Sequence, residues 1–166
     1  MGYRPQKRRT AWEDRFRTPT IDDLREHYNK QLAGLMETAR SLLLSLPGVV
    51  EELSWQGLPW RWTLTYRFQQ GSADSRPGLY LVPDPLRPKI SMPLPDTVVQ
   101  SLPLHRLKRH VRDGVLQGRK VNGVLWATWD VTSKTQVGEI LEIVAKHYKP
   151  AAPAPARNGA AATRGT

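Results

Sequence analysis

Apolar residues recur at spacings of three and four through Leu24, Tyr28, Leu32, Leu35, Ala39, Leu42 and Leu46, the mark of one buried helix face. Thr20 is placed to cap the start of that helix, and Asp22 and Asp23 put negative charge in its first turn, where the helix dipole favours it. Pro47-Gly48 ends the pattern, because proline disfavours helix at the residue before it and glycine supplies a turn. The period then changes to two. Val49 to Trp55 reads as a strand, Gly57-Leu58-Pro59 as a turn, and Trp60 to Phe68 as a second strand. Its alternation puts Trp60, Trp62, Leu64, Tyr66 and Phe68 on one face and Arg61, Thr63, Thr65 and Arg67 on the other.

Gln69 to Gly78 is polar and reads as a turn. Leu79 to Val82 and Lys89 to Leu94 are short apolar runs of strand type, and the prolines at 83, 85, 88, 93 and 95 argue for edge strands or irregular connections. Asp96 is placed to cap a short helix reaching Leu102, and Leu104 to Val111 reads as another. Gly114, Gly118 and Gly123 mark bends. Val124 to Val131 has the β-branched and aromatic content of a strand. Thr132 or Ser133 then caps a last helix whose stripe is Val137, Ile140, Leu141, Val144 and Tyr148. The whole predicts a single α+β domain over residues 20–148, with helices packed on one face of a curved antiparallel sheet.

Charge changes the picture at the ends. The formal net charge is +10, but residues 1–19 carry six Lys/Arg against two acids, and residues 149–166 carry Lys149, Arg157 and Arg164 with no acid. Seven of the ten charges therefore lie outside the domain. Residues 1–19 read as a basic disordered arm, in which Trp12 and Phe16, four apart, are spaced to dock one helical turn. The Pro/Ala-rich segment 149–166 reads as a disordered tail. With no cysteine, disulfides and thiolate chemistry are excluded, which suits a reducing compartment. No apolar run reaches the roughly eighteen residues of a membrane span, and no apolar segment follows the N-terminal charges, so a cytoplasmic protein without membrane partners is expected.

Two constellations are candidates for function. Six tryptophans are many for 166 residues, and Trp55, Trp60, Trp62 and Trp126 are the candidate lining of an aromatic ligand pocket. The same rings equally serve as large core residues, their indole N–H groups finding partners inside. Trp126 and Trp129, three apart on a strand, should face opposite sides. The second candidate is a basic window in which Arg106, Lys108, Arg109, Arg112, Arg119 and Lys120 face Asp113 alone. On a helix, Leu104, Leu107 and Val111 would point inward while the cations fan outward, either toward nucleic-acid phosphates or simply into solvent.

Other chemistry is poorly supplied. His105 and His110 are five apart, off the same-face helical spacings, and His27 and His147 lie on separate helices, so neither pairing builds a metal site. Asp22, Asp23 and Glu26 are accounted for by a helix start. Glu51 or Glu52 could bring one acid near the Trp55 turn, but acid–base work needs two carboxyls converging on a cleft. Serine-elbow, dinucleotide and P-loop patterns are all missing. No metal, cofactor or catalytic residue is assigned.

The run Leu46-Pro47-Gly48-Val49-Val50-Glu51-Glu52, followed by Trp55-Gln56-Gly57 and the Trp60-to-Phe68 strand, resembles the small bacterial YdhG-like domains of unknown function. Some of these are described as frataxin-like or as iron chaperones, and the YjbR-type domains have a similar outline. The resemblance implies helices on one face of a curved antiparallel sheet and carries over no catalytic residues. Its iron association transfers badly, because Asp22, Asp23, Glu26 and Glu37 are diluted by Arg25, Lys30 and Arg40, whereas hard cations need oxygen ligands in number. The sequence thus points to a binding or accessory domain engaging a small ligand or protein partner. Nucleic-acid binding through the tails and the 104–120 face, or an enzyme of unrecognised type, are the alternatives.

Overall fold

A computed structural model describes residues 8–68 and 78–147. Six strands form one open antiparallel sheet in the order β1-β2-β3-β4-β6-β5: β1 is Val49–Trp55, β2 Trp62–Phe68, β3 Leu79–Val82, β4 Lys89–Pro95, β5 Arg119–Val121 and β6 Val124–Asp130. The helices are α1 (Ile21–Arg25), α2 (Lys30–Leu44), α3 (Asp96–Ser101), α4 (Arg109–Leu116) and α5 (Lys134–His147), with a 3-10 turn at Leu104–Arg106. The fold is α+β, with helices packed on the sheet. None of the described helices is long and apolar enough to cross a membrane.

Register sorts the side chains, since cross-strand partners share a face. Leu53, Leu64, Leu81, Ile90 and Trp129 are successive partners across β1, β2, β3, β4 and β6. They face α2, α4 and α5, whose Leu35, Ala39, Leu43, Val111, Ile140 and Val144 complete the main buried cluster. The neighbouring row, Thr65, Tyr80, Ser91 and Thr128, must then occupy the opposite face.

The N-terminal helix is split. Thr20 and Asp23 form a capping box that starts α1, but the chain leaves the helix after Arg25 and restarts where the Asn29 side chain accepts from the Leu32 amide at 2.8 Å. An apolar spacing of three and four does not report such an interruption, and it misplaces the stripe at the far end, where Leu43 is fully buried and Leu42 is 38% exposed. The break places Tyr28 so that its hydroxyl donates to the Pro83 carbonyl at 2.9 Å. Similarly, the helix expected over 104–111 divides into the 3-10 turn and α4, and Asp96 lies in the first turn of α3 without capping it. Ser133, in contrast, caps α5, its hydroxyl accepting from the Gln136 amide. Tyr148 lies outside the described residues.

The prolines do not exclude β4 from the interior of the sheet. The β3–β4 ladder ends at Tyr80–Ser91, so Pro93 and Pro95 have a strand partner only on the β6 side. Proline is tolerated where a strand is locally an edge. The short strand β5 was not anticipated: it pairs with β6 through a two-residue turn at Asn122-Gly123, with φ of 50° and 76°. Asn-Gly is the strongest short hairpin signal and was legible in the sequence.

Two internal contacts set the packing. Trp129 donates from Nε1 to the Val111 carbonyl at 3.0 Å, and a Cβ at Gly114 would lie only 2.0–2.6 Å from atoms of its indole ring. Gly114 is therefore what lets α4 settle on β6. Arg40 of α2 grips Glu51 of β1 through Nε and Nη2 at 2.7–3.0 Å, and the buried Tyr66 hydroxyl donates to the same carboxylate at 2.8 Å. Burial first, then the Glu51 charge, pushes the Tyr66 hydroxyl above its ordinary range; burial and Asp84 do the same to Tyr28.

Gly114→Ala should cost about 1–3 kcal/mol, as overpacking does, despite alanine's better helix propensity. A urea midpoint unchanged from that of the parent would contradict this account of α4. Raised tyrosine pKa values also give a sign in alkali. Above about pH 10 the unfolded chain releases phenolic protons that the folded chain keeps. Stability should therefore be full below that pH and fall above it by about 1.4 kcal/mol per pH unit for each such tyrosine. Urea unfolding between pH 9 and 11 should show this decline, and Tyr66→Phe should make it shallower.

Candidate aromatic groove

The turn joining β1 to β2 rearranges the tryptophans. Gly57 has φ of 79° and Arg61 of 56°, and the Leu58–Pro59 peptide is cis. The Arg61 amide donates to the Gly57 carbonyl and the Gln56 amide to the Arg61 carbonyl, closing the turn. Strand alternation consequently does not extend back through Arg61, and Trp60 leaves the face that Trp62 occupies. Trp62 keeps the register of Leu64, is 7% exposed and meets its cross-strand partner Trp55 edge-on at 5.8 Å. Trp60 packs on the opposite, helix-free face. The expected four-ring pocket is thus two pairs, Trp55 with Trp62 and Trp60 with Trp126.

Trp60, Tyr80 and Trp126 form a triangle whose ring centroids are 5.3–5.8 Å apart. Tyr80 was not singled out in the sequence; its alternation with Leu79 and Leu81 was the available signal. Around the rings lies a floor of short hydroxyl side chains. Thr63, Thr65 and Ser91 are buried and donate to the carbonyls of Trp60, Glu52 and Ala127, so the floor is polar but satisfied. Beside the triangle runs a groove of about 590 Å³, walled by Leu58 and Pro59 on one side and Gln117 to Arg119 on the other, with Trp60 and Trp126 between. Arg119 stands opposite Trp126 in the β5–β6 register, and among the described residues no carboxylate lies within ion-pair distance of it. A more enclosed cavity beneath α1, near Tyr28, Met36 and Arg40, measures only about 30 Å³, room for a water or two rather than a ligand.

The turn carrying Trp60 is held from outside by residues 8–19, which were expected to belong to a disordered arm. Trp12 is 7% exposed and donates from Nε1 to the Trp60 carbonyl at 3.0 Å, while Trp62 donates to the Asp14 carbonyl at 2.7 Å. Arg61 stacks over the Trp12 ring at 4.8 Å and pairs with Glu13 at 2.8 Å. Phe16 does not dock with Trp12; it is 90% exposed, because these residues follow turns rather than the helical turn their spacing suggested. The spacing of Trp12 and Phe16 pointed to a docked segment, but only Trp12 docks, and it does so from turns rather than from a helical turn. The Thr10 amide, with help from Arg61 and the Thr10 hydroxyl, holds the Glu13 carboxyl below its usual range.

The basic window is divided between surfaces. Arg106 lies on the 3-10 turn and Lys108, Arg109 and Arg112 around α4, in the helical layer; Arg109 faces Asp113 at 3.7 Å. Arg119 belongs to the groove on the other face, and Lys120, at the sheet edge, pairs with Asp96 at 2.9 Å. His110 Nε2 lies 2.9 Å from Glu139 Oε2, close but poorly aligned for a hydrogen bond. No group of three or more metal-ligating side chains gathers among the described residues.

No family model, curated protein or solved structure matches this chain. The site is accordingly defined by its geometry alone: a shallow aromatic groove with one cation and no paired acid and base.

Because Glu13's carboxyl is favoured in its charged form when docked, its contribution is present above about pH 4.3 and lost as pH falls through the depressed folded value. The indole N–H resonance of Trp12 should shift toward a solvent-exposed position in acid, ahead of global unfolding. Glu13→Gln should reproduce that shift at neutral pH. An acid titration in which Trp12 moves only with the whole domain would contradict the docking role of Glu13.

Proposed function

We propose that this domain is a binding module that takes a planar, aromatic ligand into the groove over Trp60 and Trp126. The observation that carries the reading is the half-buried ring triangle of Trp60, Tyr80 and Trp126 on a sheet face that α2, α4 and α5 leave open. A core cluster would sit under those helices, as Trp129 does. Rings left at a surface instead offer a stacking partner several kcal/mol of gross contact, of which about 0.5–1.5 kcal/mol per ring pair is specific to ring geometry. The groove volume lies in the range of small-molecule sites. Arg119 adds a fixed positive charge at one wall, favouring a ligand with an anionic substituent.

Binding rather than catalysis fits the polar groups present. The hydroxyls of the floor are committed to backbone carbonyls, and the carboxylates of this face, Glu52 and Asp130, are engaged by Arg67 and Arg87. The YdhG-like outline of the Leu46-to-Glu52 junction is compatible with this reading but supplies no ligand. A cysteine-free chain suits a reducing cytoplasm, where such a module would act.

Titration of the full chain with planar heteroaromatic compounds, with and without a carboxylate or phosphate substituent, should quench tryptophan fluorescence saturably. Trp126→Ala should weaken the affinity about tenfold, and Arg119→Ala should erase the preference for the anionic compounds. Trp55→Phe, on the other ring pair, should leave both unchanged. An affinity unchanged by Trp126→Ala, or no saturable quenching by any compound, would remove the groove from consideration.

A further inference from the structure

The groove over Trp60 and Trp126 has a neighbour. Leu58, 77% exposed, is the wall it shares with a second depression of about 420 Å³ on the far side of the β1–β2 turn. That depression is lined by Arg9, Arg15, Phe16, Trp55 and Arg61, with Glu13 its single acid. Glu13 is already engaged by Arg61. No carboxylate of the described residues lies within ion-pair distance of Arg9, Arg15 or Arg119, and all three side chains are exposed. Phe16 is nearly naked to solvent, an apolar ring with nothing seated on it. Passing around the tip of the turn, the surface therefore runs Arg119, Trp126, Trp60, Leu58, then Phe16 and Trp55 with Arg9 and Arg15 alongside.

Alternation of this kind matches one class of polymer. Single-stranded nucleic acid presents a planar π face on every unit and a phosphate between units, and proteins hold it with aromatic platforms interleaved with cations. A duplex hides those faces, and an acidic peptide offers charge without regular rings. Basicity alone does not select the site: Arg106, Lys108 and Arg112 are equally cationic, yet among the described residues the large exposed apolar side chain on α4 is Leu116, not a ring. The net charge of +10 adds long-range attraction for a polyanion.

Resting on the groove reading above, we propose that the two depressions form one track for single-stranded nucleic acid. Bases stack on Trp60, Trp126 and Phe16, and phosphates meet Arg9, Arg15 and Arg119. Trp55 and Leu58 supply the apolar wall over which the strand turns.

Fluorescence anisotropy of the full chain with labelled single-stranded DNA and RNA about fifteen nucleotides long tests this, with duplex DNA and poly-glutamate as competitors. Affinity should fall steeply between roughly 50 and 200 mM salt. Phe16→Ala, which removes an exposed ring and leaves the core untouched, should weaken binding about tenfold. Arg9→Ala with Arg15→Ala should also reduce the salt dependence. Single strands should outcompete duplex and poly-glutamate, and the difference between DNA and RNA arms identifies the sugar preferred. If Phe16→Ala and Arg119→Ala leave affinity unchanged, or poly-glutamate competes as well as a single strand, the track is overturned and charge alone holds the polyanion. If heteroaromatic compounds quench saturably but oligonucleotides bind no tighter than mononucleotides, the track fails while the groove stands.

Discussion

A strand sends successive side chains to opposite faces, so a sheet that buries Leu64, Leu81, Ile90 and Trp129 beneath helices must present Thr65, Tyr80, Ser91 and Thr128 on its other side. With α2, α4 and α5 all spent on the first face, the second keeps whatever rings and hydroxyls the alternation delivers to it. Small hydroxyl residues resolve this by bonding to their own sheet's carbonyls. The rings of Tyr80 and Trp126 cannot be hidden in that way, and they gather instead with Trp60. The candidate site is therefore a direct consequence of covering a six-stranded sheet on one side.

The β1–β2 turn converts that consequence into a shaped groove. Positive φ at Gly57 and Arg61 turns Trp60 away from Trp62, and residues 8–19 hold the turn through Trp12, Glu13 and Arg61. Arg61 is consumed by Glu13 and the Trp12 ring, so it positions the turn, whereas Arg119, on the groove wall, has no carboxylate within ion-pair distance among the described residues. Equivalent residue types thus divide into a paired structural cation and an unpaired surface one through their neighbours alone.

Much of the architecture was legible as periodicity. The helix stripes, the β2 alternation and the opposition of Trp126 and Trp129 follow from side-chain direction, a local property of a regular backbone. What escaped had specific causes. The interruption at Glu26 to Asn29 falls between apolar residues that stay four apart, Leu24, Tyr28 and Leu32, so the period carries no sign of it. Pro93 is admitted to an inner strand because β3 has already ended beside it. The spacing of Trp12 and Phe16 suggested a docked helical turn, but the segment follows turns, so one ring is buried and the other exposed.

By itself the sequence determined the α+β class, most strand and helix positions, the concentration of charge at the ends, and the presence of enough rings for a site. Which rings meet was decided only by tertiary structure. Trp60 and Trp62 are two residues apart yet lie on opposite faces, because a left-handed residue at Arg61 resets the alternation. Likewise the window from Arg106 to Lys120 is continuous in sequence and divided in space, since α4 and β5 belong to different sides of the sheet. Local periodicity can state where a side chain points relative to its neighbours; only the folded turn fixes which surface that direction becomes.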